Sequence, residues 1–285
     1  MREVKGSRVS SLAVGLVAFA VTLPLMGGCA VLMGTAEPDG ATPSAGPAFR
    51  ARLTDAAVST VGVCLDPSRS SNASFAPEQR AMIAESVAGW ATGKKATEAG
   101  AAGAPGLDLL IRQVQNDSYG DAPTLRVSIP SVAGLVPEPK STSATFAIDD
   151  VTWQNAKRDY DSEIAAAADA ASEAAARVKA MPLRPSDSEI AGCVSALATI
   201  LSPGDRKILL LSDLGQNHAP QIAGDLSRTQ VLVVQPCPSG DASTCTTLAT
   251  DTASSLKSRG ATEVAAIRPE AASPARYSTF WKDGL

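Results

Sequence analysis

Three oxygen-bearing side chains follow a short apolar segment that begins at Val58. Asp66, Ser68 and Ser70 stand at alternate positions directly after Val58 to Leu65, a run that predicts a buried strand. In an extended segment alternate residues point to the same side, so these side chains face a common point. One carboxylate and two hydroxyls are hard oxygen ligands, which suit Mg2+, Mn2+ or Ca2+ better than zinc. The spacing therefore predicts a divalent-cation site.

Two further segments bring oxygen ligands to the same predicted edge of a sheet. Asp213 follows the apolar strand Lys207 to Leu211, and Ser186, Asp187 and Ser188 precede a predicted helix. In α/β sheets functional groups collect beyond the carboxyl ends of the strands. We expect Ser188 to supply the central ligand, with Ser186 and Asp187 as the competing candidates. The alternative is a metal-free edge, at which these side chains only cap loops and helix starts.

This pattern resembles the metal-ion-dependent adhesion site of the von Willebrand factor type A family. That site combines Asp-x-Ser-x-Ser after the first strand, a Thr in a central loop and an Asp after the fourth strand. Asp66, Ser68 and Ser70 match the first element, and Ser188 stands where the family usually has Thr. Leu211-Ser212-Asp213 matches the family's Ser/Thr-Asp-Gly, except that Leu214 occupies the glycine position. The resemblance covers roughly residues 56 to 285.

The resemblance implies a cation held by the hydroxyls of Ser68, Ser70 and Ser188. Asp66 and Asp213 would bind it directly or through water, and one coordination position would be left for a carboxylate of a protein partner. Mostly neutral ligands leave the ion electron-poor, so an incoming carboxylate adds attraction. The resemblance thus implies a binding protein with a Mg2+, Mn2+ or Ca2+ site, and the sequence offers no evident catalytic group.

The elements that must position these residues alternate between strands and helices. The sequence predicts an α/β fold with a doubly wound, mainly parallel sheet of about six strands and helices on both faces, similar to von Willebrand type A and Rossmann-like domains. We expect helices from Pro77 to about Lys95, from Ser188 to Leu201, near Ile222 and from Thr246 to Arg259. An Ala-rich stretch at about residues 149–181 predicts a long helical insertion, which either projects from the domain or breaks near Asp159 to Ser162.

The first residues are typical of an export signal. Arg2, Lys5 and Arg8 precede an apolar run from Leu12 to Met26, which is shorter than the about twenty residues of a comfortable membrane span. Leu25-Met26-Gly27-Gly28-Cys29 resembles a bacterial lipobox, which implies a signal peptide over 1–28 and a diacylglycerol- and palmitate-bearing Cys29 on the outer face of the cell membrane. The alternative is an uncleaved signal that acts as a plain anchor.

The chain after the signal divides into a tether and one domain. Residues 29–52 are rich in Pro and Gly, which indicates a flexible tether, and we expect the von Willebrand type A-like domain to occupy residues 53–285. Export favours disulfides. Cys237 and Cys245 bracket a turn-rich loop and are predicted to pair, whereas Cys64 and Cys193 either pair with each other or remain buried thiols.

Composition excludes other classes of function. The 285-residue chain has 25 Lys+Arg and 29 Asp+Glu, a formal charge of -4 and no basic run, so we expect no nucleic-acid partner. Its one histidine, His218, excludes histidine-rich zinc sites. Two alternative functions stay open. One is a solute-binding lipoprotein with two lobes, and the other is a phosphate hydrolase with Asp66 as nucleophile, which usually needs a second acid where Ser68 stands.

Overall fold

A computed structural model describes most of the predicted domain. The described residues are 58–68, 73–90, 106–120, 122–132, 147–201, 204–215, 222–237 and 242–285. All of them belong to the second of two compact units of the chain, Ala45–Leu285. The predicted signal peptide, Cys29, the tether, Ser70 and His218 lie outside the described residues.

The described residues form six strands and five α-helices. The strands are β1 (Val58–Leu65), β2 (Gly106–Gln113), β3 (Thr124–Ile129), β4 (Arg206–Leu211), β5 (Thr229–Val234) and β6 (Glu263–Ile267). The helices are α1 (Phe75–Ala88), α2 (Ala147–Ala180), α3 (Ile190–Ile200), α4 (Ala242–Ser258) and α5 (Pro274–Asp283), with a 3-10 turn at Pro269–Ala271.

The strands build one sheet in the order β3-β2-β1-β4-β5-β6. All neighbouring strands are parallel except β2 and β3, which form an antiparallel pair at one edge. The predicted doubly wound α/β fold is therefore confirmed. The strand order reverses between β1 and β4, and at such a switch point the loops on either side diverge and leave a crevice at the carboxyl ends of the strands.

Helices cover both faces of the sheet. On one face α1, α2 and α5 pack over Val61, Val63 and Leu65 of β1, and on the other face α3 packs over Cys64. Gly62 also faces α3, and a Cβ built there would lie 2.9 Å from the Leu197 Cδ1 atom. The absence of a side chain at Gly62 therefore lets α3 approach β1 closely, directly below the loops of the predicted site.

The Ala-rich segment is one helix, α2, without the break near Asp159 to Ser162 that was one of the two expectations. Its 34 residues correspond to about 51 Å at 1.5 Å per residue. A buried stripe runs along its second half through Ala167, Ala171, Ala174 and Val178. In the first half most of the described side chains are exposed. Only the second half of α2 therefore contributes to the core.

Two sequence predictions about helices need correction, and one helix was not predicted. Residues 222–228 form no helix, because the Ala223 N–H donates to the Ser195 Oγ atom (2.8 Å) and the Leu226 N–H to the Arg259 carbonyl (2.9 Å). The first helix ends at Ala88 instead of continuing toward Lys95. Helix α5 was not predicted, although Ser273 accepts a hydrogen bond from the Arg276 N–H and Pro274 follows it, which is a typical helix start.

Within the described ranges, no helix combines the length and apolar character needed to cross a membrane.

Candidate cation site at the sheet switch point

Asp66 is the centre of the predicted site. It directly follows β1, and its backbone N–H donates to the Leu211 carbonyl of β4 at 2.9 Å, so it lies where the two central strands end. Its side chain accepts a hydrogen bond from the Ser68 N–H at 2.9 Å. This i to i+2 bond is an Asx turn, which Asp followed by Pro67 favours. The turn reverses the chain at the carboxyl end of the sheet.

Two hydroxyls from distant segments donate to the same carboxylate. The Ser188 Oγ atom lies 3.0 Å from both Asp66 carboxylate oxygens, and the Ser212 Oγ atom lies 2.7 Å from Asp66 Oδ2. A hydroxyl has one hydrogen and two lone pairs. Because both hydroxyls direct their hydrogen at Asp66, their lone pairs point elsewhere. One lone pair of the Ser212 Oγ atom accepts from the Leu214 N–H at 3.0 Å, and the remaining lone pairs could bind a cation.

Asp213 lies at the same edge, one residue after Ser212. Its carboxylate accepts a hydrogen bond from the Gly215 N–H at 3.0 Å. Leu214, between them, has a φ of 63°, in the left-handed region that favours glycine. The sequence pattern that Asp213 resembles has glycine at this position, and here a leucine adopts the left-handed conformation. The Leu214 side chain is buried in the core under α3, which compensates for the strain.

The site is buried, and its carboxylate has no cationic partner among the described residues. Asp66 and Ser212 are 0% exposed, and Ser68, Ser188 and Asp213 are at most 8% exposed. No lysine or arginine of the described residues forms an ion pair with Asp66. Buried charges in proteins are normally paired or bound to metal. Three hydrogen bonds stabilise the Asp66 carboxylate, but no positively charged side chain of the described residues compensates its charge.

Contacts from the turn after β2 hold the loop that carries Ser188. Arg112 at the end of β2 is 5% exposed, and its guanidinium donates to the Ser118 carbonyl at 2.7 Å and to the Thr124 Oγ1 atom at 2.8 Å. The Ser118 N–H in turn donates to Glu189 Oε2 at 2.8 Å. Since Glu189 is adjacent to Ser188, the turn after β2 fixes the position of the central hydroxyl.

Both cysteine pairs lie at disulfide distance. Cys64 and Cys193 have a Cα–Cα separation of 6.0 Å, so of the two alternatives the pair is the one observed. It joins the end of β1 to the start of α3 and thus ties the Asp66 and Ser188 segments together. Cys237 and Cys245 have a Cα–Cα separation of 6.1 Å, as the sequence predicts.

The structure brings together most of the predicted ligands. Asp66, Ser68, Ser188 and Asp213 gather at one edge, and of the three central-loop candidates Ser188 is the one that hydrogen-bonds Asp66. Ser186 instead accepts from the Asn116 N–H at 3.1 Å, and Asp187 is exposed. Sequence reasoning missed Ser212, although it is the Ser of the same Ser-Asp pair that identified Asp213. It also missed Arg112 and Glu189, for which no local motif exists.

The residues present fit a hard divalent cation. Within the described ranges, no three His, Cys, Asp or Glu side chains cluster closely enough to hold a metal ion. A cation here would therefore depend on hydroxyl oxygens, and Ser68, Ser188 and Ser212 supply them beside one uncompensated carboxylate. Oxygen-only donor sets suit Mg2+, Mn2+ or Ca2+. The cation would supply the positive charge that Asp66 lacks.

The chain matches no protein-family model and no curated protein sequence.

Proposed function

We propose that this chain is an envelope-anchored lipoprotein of von Willebrand type A character, which binds a protein partner through a divalent cation at the switch point. The observation that carries the proposal is the buried Asp66 carboxylate, which has three hydrogen-bond donors but no ion pair with any lysine or arginine that the structure describes. A bound cation would complete the charge balance of this site.

The geometry suits binding of a carboxylate ligand. Of the residues that would hold the cation, Ser68, Ser188 and Ser212 are neutral, so the negative charge comes from Asp66 and Asp213. An ion with few anionic ligands remains attractive to a further carboxylate, because at close range the Coulomb attraction outweighs screening by water. An aspartate or glutamate of a partner protein is the simplest such group. The site therefore favours recognition of an acidic side chain over a chemical reaction.

The test is cation-dependent stability of the exported domain. Metal-free protein is heated in EDTA and then with increasing Mg2+, Mn2+ or Ca2+, and unfolding is followed by circular dichroism. At a hundredfold excess over Kd a ligand adds about 2.7 kcal/mol of stability, which raises the Tm of a domain of this size by about 5–10 °C. We expect this shift with at least one of the three ions.

Variants of the hydroxyl ligands decide where the ion binds. Ser68→Ala and Ser188→Ala keep the Asp66 carboxylate but each remove one predicted ligand, so the cation-induced shift should fall to less than half. Ser258→Ala removes an exposed hydroxyl at the end of α4 and should leave the shift unchanged. An unchanged Tm with all three ions, or equal shifts in wild type and both ligand variants, would overturn the cation site.

Membrane attachment is a separate part of the proposal, because Cys29 lies outside the described residues. In a bacterial host we expect the full chain to partition into the detergent phase of a Triton X-114 extraction and Cys29→Ser to partition into the aqueous phase. A Cys29→Ser protein that still partitions with detergent would contradict acylation at this residue and favour an uncleaved signal anchor.

A further inference from the structure

A groove of about 450 Å³ lies between α4 and the edge strand β6, and one of its lining residues, Gln235, donates to the backbone carbonyl of Asp213 at 3.4 Å. We name it the α4–β6 groove. Its apolar part is formed by Ala249 and Ala253 of α4 with Ala266 of β6. The volume is within the range of ligand-binding clefts in proteins. Among the described strands none pairs with the outer edge of β6, so the groove borders an open backbone edge.

Two positively charged side chains line this groove, and no acidic residue within the described ranges does. Lys257 comes from the last turn of α4 and Arg268 directly follows β6. Neither forms an ion pair within the described part of the chain. Helix α4 connects two parallel strands, so its last turn lies near the start of β6. Lys257 and Arg268 therefore lie toward opposite ends of the groove. The Arg268 Nη1 atom is buried without a hydrogen-bond partner.

This unpartnered nitrogen is a reason to expect an anionic ligand. A buried polar group without a partner destabilises the folded protein, and a charged group does so more strongly. Arg268 as a whole is only half-buried, and the guanidinium charge is delocalised over its plane. A carboxylate that meets the exposed part of this group would compensate its charge.

The hydroxyls that α4 presents to the groove favour a peptide ligand over a simple anion. The hydroxyls of Thr246, Thr250 and Ser254 each donate to the carbonyl four residues earlier, at 2.8 Å. Their hydrogens are therefore used within the helix, and they present oxygen lone pairs to the groove. Sulfate offers no donors to these oxygens, and phosphate at neutral pH offers only one or two hydroxyls. A peptide offers backbone N–H groups, and its acidic side chains suit the two cations.

We infer that the α4–β6 groove binds an extended acidic peptide segment, with carboxylates at Lys257 and Arg268, backbone N–H groups at the α4 hydroxyls, and small side chains on the alanine floor. This binding does not depend on the cation at the switch point. It is a second recognition surface of the domain.

The test uses fluorescein-labelled decapeptides and the full chain in EDTA, with anisotropy as the readout. The acidic mixture carries Asp or Glu at every second position and Ala, Val or Thr between them. The neutral mixture has Asn or Gln in place of the acids. We expect the acidic mixture to bind at least tenfold more tightly than the neutral mixture, the difference that one charged hydrogen bond produces. Equal binding of the two mixtures, or no binding of the acidic mixture, would overturn the proposal.

Variants locate the binding. Lys257→Gln and Arg268→Gln should each weaken binding of the acidic mixture about tenfold, and Thr250→Val should weaken it several-fold. Lys179→Gln, the same change at an exposed position of α2, should have no effect. Lys257 is exposed, so its variant tests the groove even if Arg268→Gln folds poorly. Wild-type affinity in both Gln variants, or displacement of the peptide by an equal concentration of inorganic phosphate, would also overturn the proposal.

Ser188→Ala separates this inference from the proposed function. It removes a predicted cation ligand, but it should bind the acidic mixture with wild-type affinity in EDTA. Loss of peptide binding in Ser188→Ala would place the peptide at the switch point and contradict the groove.

Discussion

The switch-point site and the α4–β6 groove lie on the same sheet, but their charged groups differ in how they are hydrogen-bonded and paired. At the switch point one buried carboxylate has three donors from three segments, Ser68, Ser188 and Ser212, and these contacts fix its geometry without any ligand. In the groove no carboxylate of the residues that the structure describes pairs with Lys257 or Arg268. Hydrogen bonds within the protein hold the switch-point site in place. In the groove, the proposed peptide would supply the groups that pair with the charged side chains.

This difference predicts where the stability of the domain comes from. Groups that satisfy each other contribute to folding, whereas groups kept for a ligand contribute little or oppose it. Variants at the switch point should therefore lower the free energy of unfolding, and variants in the groove should change it little while they change binding. The predictions below compare matched changes in the two regions.

The largest effect is expected from the two disulfides. Cys64–Cys193 closes a loop with a sequence separation of 129 beneath the switch point, and Cys237–Cys245 closes one of 8 at the start of α4. In the chain-entropy account the first stabilises the fold by about 5 kcal/mol and the second by about 2.5 kcal/mol. The double variants Cys64→Ala/Cys193→Ala and Cys237→Ala/Cys245→Ala should lose these amounts in urea unfolding.

The two double variants control for each other, because both remove two sulfur atoms and one crosslink. Cys64 and Cys193 are also completely buried, so their removal leaves a small cavity that adds to the loss. Equal losses in the two variants, or a larger loss for the short loop, would contradict the view that the switch-point region carries more of the stability.

The sequence predicted the switch-point site because its residues follow recognisable elements. An apolar run ending in Leu65-Asp66 and another ending in Leu211-Ser212-Asp213 are typical of buried parallel strands, and the rule that loops meet at the carboxyl edge then brings them together. The contact between Asp66 and Ser188 joins residues 122 apart, yet it follows from that rule. The predicted ligand Ser70 and the predicted lipidation site Cys29 lie outside the described residues and stay predictions.

What the sequence left unpredicted depends on tertiary contacts. Ser212 donates to Asp66 only because β1 and β4 are neighbours with Leu65 opposite Leu211. Residues 222–228 were predicted to contain a helix from local composition, but distant acceptors in α3 and beyond α4 take their N–H groups. The α4–β6 groove has no sequence motif at all. Its alanine, lysine and arginine side chains come together only when α4 packs beside the edge strand β6.

An intermediate effect is expected at Asp66 itself. Asp66→Ala removes the acceptor of the Ser68 N–H and of the Ser188 and Ser212 hydroxyls, and a buried donor without a partner costs about 1–3 kcal/mol. We expect a loss of about 3 kcal/mol in urea unfolding in EDTA, and about 1 kcal/mol for Ser212→Ala, which removes one of the three bonds.

Thr250→Ala provides the matched change in the groove. It removes an exposed hydroxyl bonded within its own helix, so the free energy of unfolding should change by less than about 0.5 kcal/mol. If Asp66→Ala were as stable as Thr250→Ala, the hydrogen bonds around the carboxylate would contribute nothing, and the proposed difference between the regions would fail.

The smallest effect compares a paired with an unpaired arginine at the two edges of the sheet. On β3 the Arg126 Nη2 atom lies 2.6 Å from Asp108 Oδ2, and this guanidinium holds the pKa of Asp108 below its usual value of 3.8. Next to β6, Arg268 pairs with no carboxylate of the described residues. Arg126 is 58% exposed, so its pair contributes only about 0.5 kcal/mol. Arg126→Gln should lose this amount at pH 7, whereas Arg268→Gln should be as stable as wild type or slightly more stable.

The pH dependence distinguishes these two arginines by sign. Because the folded-state pKa of Asp108 is lowered, the stabilisation by its ion pair is complete above pH 3.8 and is lost as the pH falls through the folded-state pKa. In thermal unfolding from pH 7 to pH 2, the Tm difference between wild type and Arg126→Gln should therefore shrink toward zero at the acidic end. The difference between wild type and Arg268→Gln should stay constant, because no carboxylate of the described residues pairs with Arg268. An acid-dependent difference for Arg268→Gln would show that a carboxylate of the chain already occupies the groove, and the acidic ligand would then be internal.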